Sequence, residues 1–301
     1  MRAIVLPEYG PASALQLRTL PDPTPGPNEI AVRMAGASLN PIDWKLRSGA
    51  YHQYMPLEMP AVLGRDASGT VTAVGPGVTA FAVGDRVLGL VKGGYAELVV
   101  APLAAWAHLP AKLDLVEAGA LPLVLLTGAQ LAEEAVDARA GETILVTGAT
   151  GSVGRVAVYT AKHRGAKVYA GVRGNHRAAA EKLGADGVVA LDDDAELAKL
   201  PTFGGIADTV GGETMQKLLV KLAPGGKIGS VVGPPAGAKE RGFVVRAFMA
   251  HDDSKRLGEL AQAVADGKLV IPIAKRFPLA EARAAHELAE KGADGKVLLL
   301  G

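Results

Sequence analysis

Apolar positions follow two different rhythms along the chain. Up to about residue 120 they come in short β-branched runs separated by Gly and Pro. Glu29–Ala35, Ala67–Val74, Asp85–Leu90 and Ala96–Val100 each predict a strand. Pro21-Asp-Pro-Thr-Pro-Gly-Pro27 holds four prolines, which forbid a helix and predict an extended surface connection. From about 123 to 265 the rhythm alternates. Strands are predicted near 143–147, 167–172, 187–191, 206–210 and 227–232, with helices near 152–164, 176–183, 195–200 and 213–222. Such alternation predicts a parallel sheet covered by helices on both faces, an α/β fold. The C-terminal part predicts a helix near 279–291 and a strand, Lys296–Leu300. Phe243–Met249 is also strand-like and could form a sheet edge.

One junction in the alternating region carries chemistry. Thr143-Ile-Leu-Val-Thr147 runs into Gly148-Ala-Thr-Gly151-Ser152-Val153-Gly154, three glycines spaced by three. After it, Val153, Val156, Ala157, Thr160 and Ala161 repeat at the spacing of one buried helix face. Glycines at such a turn let the backbone approach a pyrophosphate, and the first N–H groups of the helix point at the anion. The spacing is not the usual G-x-G-x-x-G; its place between strand and helix supplies the weight. An Asp or Glu about twenty residues on would select NAD(H) through the ribose hydroxyls. Here Lys167–Val172 is followed by Arg173-Gly-Asn175-His-Arg177, and the next carboxylate is Glu181. Guanidinium groups suit a 2′-phosphate, so Arg173, Asn175 and Arg177 point to NADP(H).

Composition excludes several classes. The 301 residues suffice for two domains, and a net charge of +1 without a basic run implies no nucleic-acid partner. No apolar stretch is long enough for a membrane span, and the N-terminal apolar run is too short for a signal peptide, so no membrane association and a cytoplasmic location are expected. The chain has no cysteine and therefore no disulfide or thiolate chemistry.

A set of motifs runs in order almost from end to end: Leu39-Asn40-Pro41-Ile42-Asp43-Trp44-Lys45 with Arg47-Ser48-Gly49, Leu63-Gly64-Arg65-Asp66-Ala67-Ser68-Gly69, Val83-Gly84-Asp85-Arg86-Val87, Gly93-Gly94-Tyr95-Ala96-Glu97, the Gly148–Gly154 turn, Leu183-Gly184-Ala185-Asp186 and Gly295-Lys296-Val297. The ordered set resembles the zinc-free medium-chain dehydrogenase/reductases of the quinone oxidoreductase type. The resemblance implies a discontinuous, β-rich GroES-like catalytic domain (1–122 and 266–301) and a Rossmann domain with a doubly wound parallel sheet (123–265). It also implies hydride transfer from NADPH to a small-molecule quinone or enone, and a homodimer. Zinc-dependent relatives use Cys and His ligands where Asn40 and Arg65 stand here, so no metal is expected. Without a Lewis acid an alkoxide is hard to stabilise, whereas an enolate or hydroquinone oxygen needs only hydrogen bonds and a proton. A binding protein of the same fold, a nucleotide sensor or crystallin with little turnover, is the alternative.

The resemblance also assigns residues. Asn40 is expected to polarise the substrate or order a water, and Tyr51 either donates a proton or forms an aromatic wall. Lys45 stands where relatives often have Tyr. Asp43 is read as a structural acceptor, and Arg65 with Asp66 as an ion pair. Thr127 is expected at the nicotinamide end, Ser152 and Val153 under the pyrophosphate, and Val210, Gly211, Val232 and Gly233 around the nicotinamide. Lys296 either approaches the cofactor phosphates or ribose, or is a solvated lysine opening a strand. Apart from the resemblance, the polar, flexible composition of Gly233–Gly242 marks it as an expected lid or pocket rim that sets substrate size.

Overall fold

The computed structural model describes residues 1–301. The chain divides into two compact units, Met1–Leu123 with Asp252–Gly301, and Val124–His251.

The first unit opens with β1 (Arg2–Leu6), β2 (Gln16–Thr19), β3 (Glu29–Ser38), α1 (Pro41–Arg47), β4 (Ala61–Val62), β5 (Asp66–Val74), β6 (Arg86–Leu90), β7 (Leu98–Pro102) and β8 (Trp106–His108). The longest strand, β3, organises it. Its first half pairs with β7 and its last residues with a C-terminal strand, while β5 runs antiparallel along its other edge. One core, containing Ile30, Val32, Met34, Val71, Val87, Tyr95 and Trp106, fills this unit. Four short strands expected before residue 101 are all present, shifted by no more than three residues at either end.

The second unit follows as α2 (Pro122–Gln130, starting at the boundary), β9 (Thr143–Thr147), α3 (Ser152–His163), β10 (Lys167–Val172), α4 (Arg177–Ala180), β11 (Gly187–Ala190), α5 (Asp194–Ala198), β12 (Phe203–Asp208), α6 (Gly212–Leu218), β13 (Leu222–Ser230) and β14 (Val244–Ala247). All six strands are parallel, in the order β11-β10-β9-β12-β13-β14. This is the order of a doubly wound dinucleotide-binding sheet, with its switch point between β9 and β12. The apolar run in β9 is buried on both faces. Ile144 and Val146 join the cluster under α3, and Leu145 joins the opposite cluster with Phe203, Met215 and Leu218. A continuous apolar strand between two helical layers is the pattern such a sheet requires.

The chain then returns to the first unit as α7 (Ser254–Ala265), β15 (Ile273–Pro278), α8 (Ala282–Lys291) and β16 (Lys296–Leu300). The division therefore falls earlier than the expected residue 265. Helix α7 carries the 3.6-residue periodicity of any surface helix, and only its packing on β8, with Gly258 against Ala107, shows where it belongs. The Gly233–Gly242 stretch is pinned at its centre, because Ala238 is fully buried in the cluster with Leu218 and Leu222, and Gln216 Nε2 donates to the Ala236 carbonyl at 3.1 Å. The stretch is thus anchored at its centre by a small apolar residue that its polar composition concealed.

Candidate active site

In the second unit the three-glycine turn closes onto its own helix. Gly148 has φ +63°, and a Cβ there would stand 2.4 Å from Thr209 Oγ1. A Cβ on Gly154 would meet the Gly148 carbonyl at 2.2 Å. The helix can therefore start this close to β9 only with glycine at both positions. Gly151 sits at the N-cap of α3 with no side chain satisfying the first turn, so the N–H groups of Ser152, Val153 and Gly154 begin an uncapped twelve-residue helix. Such a terminus suits an anion. Thr127 is buried on α2 beside Gly128, whose Cα lies so close to α3 that a Cβ would stand 2.6 Å from the Val153 carbonyl.

A buried carboxylate, missed in the sequence, ties the strand ends together. Asp208 accepts from Thr147 Oγ at 2.9 Å and Ser230 Oγ at 3.0 Å, and from the N–H groups of Val210 and Gly211 at 3.1 and 2.9 Å. It thereby sets the backbone at the C-terminal ends of β9, β12 and β13, where Val210 and Val232 lie largely exposed and Gly233 follows. Strand β12 ends at Asp208, so Val210 belongs to the following loop rather than to the expected strand. The only sequence signal for Asp208 is a charged residue closing an apolar strand ahead of Thr-Val-Gly-Gly.

The basic turn after β10 is less uniformly basic than it reads. Arg173 and Asn175 are exposed, and Arg173 makes no ion pair. Arg177, by contrast, is gripped by both oxygens of Glu196, which also accepts from the Ala190 N–H at 2.9 Å. Asp192 accepts from the Gly174 N–H at 2.9 Å. Sequence order placed no carboxylate before Glu181; the parallel pairing of β10 with β11 brings two from further along. The expectation of a second free arginine is corrected accordingly.

In the first unit, Asn40 precedes α1 with Pro41 as first helical residue. Its N–H donates to Asp43 Oδ2 at 2.8 Å, a capping interaction that fixes the start of the helix. The Asn40 side chain is buried and committed at both ends. Nδ2 donates to Asp66 Oδ2 at 2.8 Å, and Oδ1 accepts from Lys296 Nζ at 2.5 Å. Asp66 also accepts from Ser38 Oγ and from the Leu123 N–H at 2.6 Å. Asn40 is thus a buried, oriented amide, not a side chain loose in a pocket.

Two expectations fail here. Lys296 is 5% exposed and reaches Asn40 and the Leu39 carbonyl (3.0 Å), so the reading of it as a solvated lysine fails. It opens β16, opposite Ile273 of the parallel neighbour β15, and its side chain turns inward. Arg65 makes no ion pair with Asp66, whose oxygens are already taken by Ser38, Asn40 and Leu123. Burial shapes the charges. It pushes the Asp43 carboxyl up to about 7 and the Tyr95 hydroxyl well above its ordinary value, and holds the Lys296 ammonium below its own. Asp43 does act as a structural acceptor through Oδ2, while Oδ1 lacks a partner.

Tyr51 is half-buried just beyond α1. Lys45 Nζ donates to its hydroxyl at 3.2 Å and lies 5.0 Å from its ring centroid. No three His, Cys, Asp or Glu side chains converge anywhere in the chain, and no helix is long and apolar enough to cross a membrane.

Comparison with known proteins places this arrangement. Residues 26–111 match the alcohol dehydrogenase GroES-like domain, and residues 183–299 match the family described as zinc-binding dehydrogenase. A quinone oxidoreductase of Pseudomonas aeruginosa is 34% identical over 97% of both chains. A 2-haloacrylate reductase of a Burkholderia species is 32% identical over 92% of both. Among solved structures, the quinone oxidoreductase of Coxiella burnetii superposes with a TM-score of 0.89 at 30% identity, covering 100% of this chain and 99% of its own. A mycobacterial protein complexed with NADPH gives 0.85 at 30% identity, with both chains fully covered. This chain, with its GroES-like unit, its doubly wound sheet and its quinone oxidoreductase relatives, belongs to the medium-chain dehydrogenase/reductase family of oxidoreductases.

Proposed function

We propose that the protein is an NADPH-dependent reductase that delivers hydride to a quinone or to the activated double bond of an α,β-unsaturated carbonyl, without zinc. The observation that carries this reading is the engagement of Asn40. Its amide oxygen is taken by the Lys296 ammonium and its nitrogen by Asp66, while Arg65 is a cation. An ammonium on the amide oxygen and an arginine in place of a second ligand disfavour a metal ion there. The arrangement supports a reaction in which charge develops on an enolate or hydroquinone oxygen and is met by hydrogen bonds.

The residues present fit the cofactor. The uncapped N–H groups of Ser152, Val153 and Gly154 suit its pyrophosphate, Gly148, Gly151 and Gly154 permit the close approach, and Arg173 with Asn175 suits its 2′-phosphate. Bound there, NADPH supplies the hydride. Thr127, Val210, Val232 and Gly233 are assigned to the nicotinamide end; Asp208 accepts from the Val210 N–H directly and from Ser230 Oγ, which in turn accepts from the Val232 N–H. Tyr51 O–H is assigned the proton for the reduced oxygen, with the Lys45 ammonium fixing the hydroxyl. The exposed edge strand β14 supports a homodimer formed by pairing of sheet edges; a light-scattering mass of one chain at micromolar concentration rejects it.

The test is NADPH consumption, followed at the reduced-nicotinamide absorbance, with a benzoquinone, a naphthoquinone and a small enone, and with NADH in parallel. Consumption with any acceptor, faster than with NADH, supports the reductase. Tight NADPH binding with no consumption supports the sensor-like alternative.

A further inference from the structure

Lys45 is a half-buried cation with no counter-charge. Its Nζ donates to the neutral hydroxyl of Tyr51 at 3.2 Å and lies 5.0 Å from the centroid of that ring, and it makes no ion pair. Other shielded cations in the molecule are engaged: Arg47 with Glu290, Lys227 with Asp137, and Arg86 with the carbonyls of Ala111 and Leu113. Withdrawing a cation from water without a partner is costly, and such groups are ordinarily paired.

The local backbone builds the pair. Asn40 starts α1, and Lys45 stands in its last turn. Gly49, with φ +78°, donates to the Leu46 carbonyl at 3.0 Å and reverses the chain, which brings Tyr51 back alongside Lys45. The Tyr51 carbonyl accepts from the N–H groups of Tyr54 and Met55 at 3.0 and 2.8 Å, so the base of its side chain is held. The one carboxylate within α1, Asp43, is fully buried with an oxygen on the Asn40 N–H and is not the missing partner. Tyr54 meets Tyr51 edge-on, with 6.4 Å between ring centroids, and brings no charge. Lys45 is therefore the charged group that Tyr51 faces.

Resting on the reductase reading above, we propose that Lys45 supplies charge as well as position: its ammonium balances the phenolate that forms when Tyr51 gives up its proton, so that the two side chains act as one acid. The counter-charge missing at rest is the one created during turnover. In the balanced step a quinone gains hydride and becomes a hydroquinone mono-anion, while the nicotinamide is oxidised. The anionic oxygen takes the phenolic proton of Tyr51, and the electron pair of the broken O–H bond stays on the phenolate oxygen, which the ammonium already faces. Water returns one proton to Tyr51 after the hydroquinone leaves. A fixed charge aimed at the atom where charge develops needs no reorganisation at the moment of reaction.

Single-turnover oxidation of NADPH by a series of substituted benzoquinones is followed by stopped flow in wild type, Tyr51→Phe, Lys45→Met, Lys45→Gln and Lys45→Arg. Fluorescence titration with NADPH reports whether each variant is folded. Gln keeps a donor for the hydroxyl without the charge, whereas Arg keeps both. The rate should fall by about 10- to 100-fold in Tyr51→Phe, Lys45→Met and Lys45→Gln, and recover in large part in Lys45→Arg, with NADPH affinity unchanged throughout. Lys45→Met should cost little further once Tyr51 is Phe. Loss of the acid should also steepen the rise in rate with electron-withdrawing ring substituents, because the quinone must then bear its charge unaided. A Lys45→Gln enzyme as fast as Lys45→Arg would leave Lys45 only a clip on the hydroxyl and overturn the proposal. So would an unchanged rate in Lys45→Met, or weaker NADPH binding as the sole effect of the Lys45 variants. If Tyr51→Phe matches wild type, Tyr51 is an aromatic wall and the proposal fails while the reductase reading stands; if no acceptor is reduced, both fail.

Discussion

Lys296 Nζ lies 2.5 Å from Asn40 Oδ1, although 256 residues separate the two in sequence. The bond fixes which end of the Asn40 amide faces which neighbour, because the oxygen accepts from the ammonium while the nitrogen donates to Asp66. Replacing Lys296 by Met removes the donor and leaves the buried Asp66 without a nearby cation. Truncating one member of such a cluster costs about 3 kcal/mol or more. Urea denaturation should show that loss. If Lys296 acts on turnover through Asn40, Lys296→Met should lower kcat strongly in the native background and little further when Asn40 is already Ala. Additive losses in this double-mutant cycle would assign it a separate role.

Stability should depend on pH through two buried groups that oppose each other. Asp43 is pushed up to about 7, so between about 4 and 7 the folded chain holds a proton that the unfolded chain has released, and stability falls as pH rises. His286, buried with the Arg47 guanidinium at its Nδ1, is pushed down to about 3. The unfolded chain therefore binds the extra proton below about 6.5, and stability rises with pH. Each slope is about 1.4 kcal/mol per pH unit, and across pH 4–6.5 they nearly cancel. Asp43→Asn should unmask the rising slope, and His286→Asn the falling one. Equilibrium denaturation at half-unit pH intervals reads both, and a flat profile in both variants would refute the assignment.

Gly154→Ala should damage the second unit itself. The added methyl would stand 2.2 Å from the Gly148 carbonyl and 2.8 Å from the Ala149 Cα, and neither backbone atom can give way without moving α3 off β9. A stability loss of about 2 kcal/mol or more, with at least a tenfold loss of NADPH affinity, is the expected outcome in thermal melts and fluorescence titration.

The two arginines of the basic turn should separate. Arg173→Ala should weaken binding of adenosine 2′,5′-bisphosphate but not of AMP, because Arg173 is free to meet the extra phosphate. Arg177→Ala should mainly lower stability, and only slightly, since its guanidinium is already held by a solvent-screened Glu196. Calorimetric titration of both nucleotides distinguishes them, and loss of 2′-phosphate selectivity in Arg177→Ala alone would reverse the roles.

Much of this protein is local in origin and was legible from its order of residues. The alternating apolar runs specify strand and helix because periods of 2 and 3.6 bury different faces. The glycines at 148, 151 and 154 read as a phosphate turn because steric freedom is a property of the residue itself. Other features depend on partners distant in sequence. No local pattern distinguishes a solvated Lys296 from one buried against Asn40; the place of β16 between β15 and β3 decided it. Likewise α7 has the periodicity of any amphipathic helix, and only packing on β8 assigned it to the first unit. Asp192 and Glu196 follow Arg173 by nineteen and more residues, yet parallel pairing of β10 and β11 brings them back to its turn. Propensity and steric permission act over a few residues and so are written in the sequence. Burial, charge compensation and the orientation of a buried amide arise only when strands remote in the chain meet, and those the tertiary structure decided.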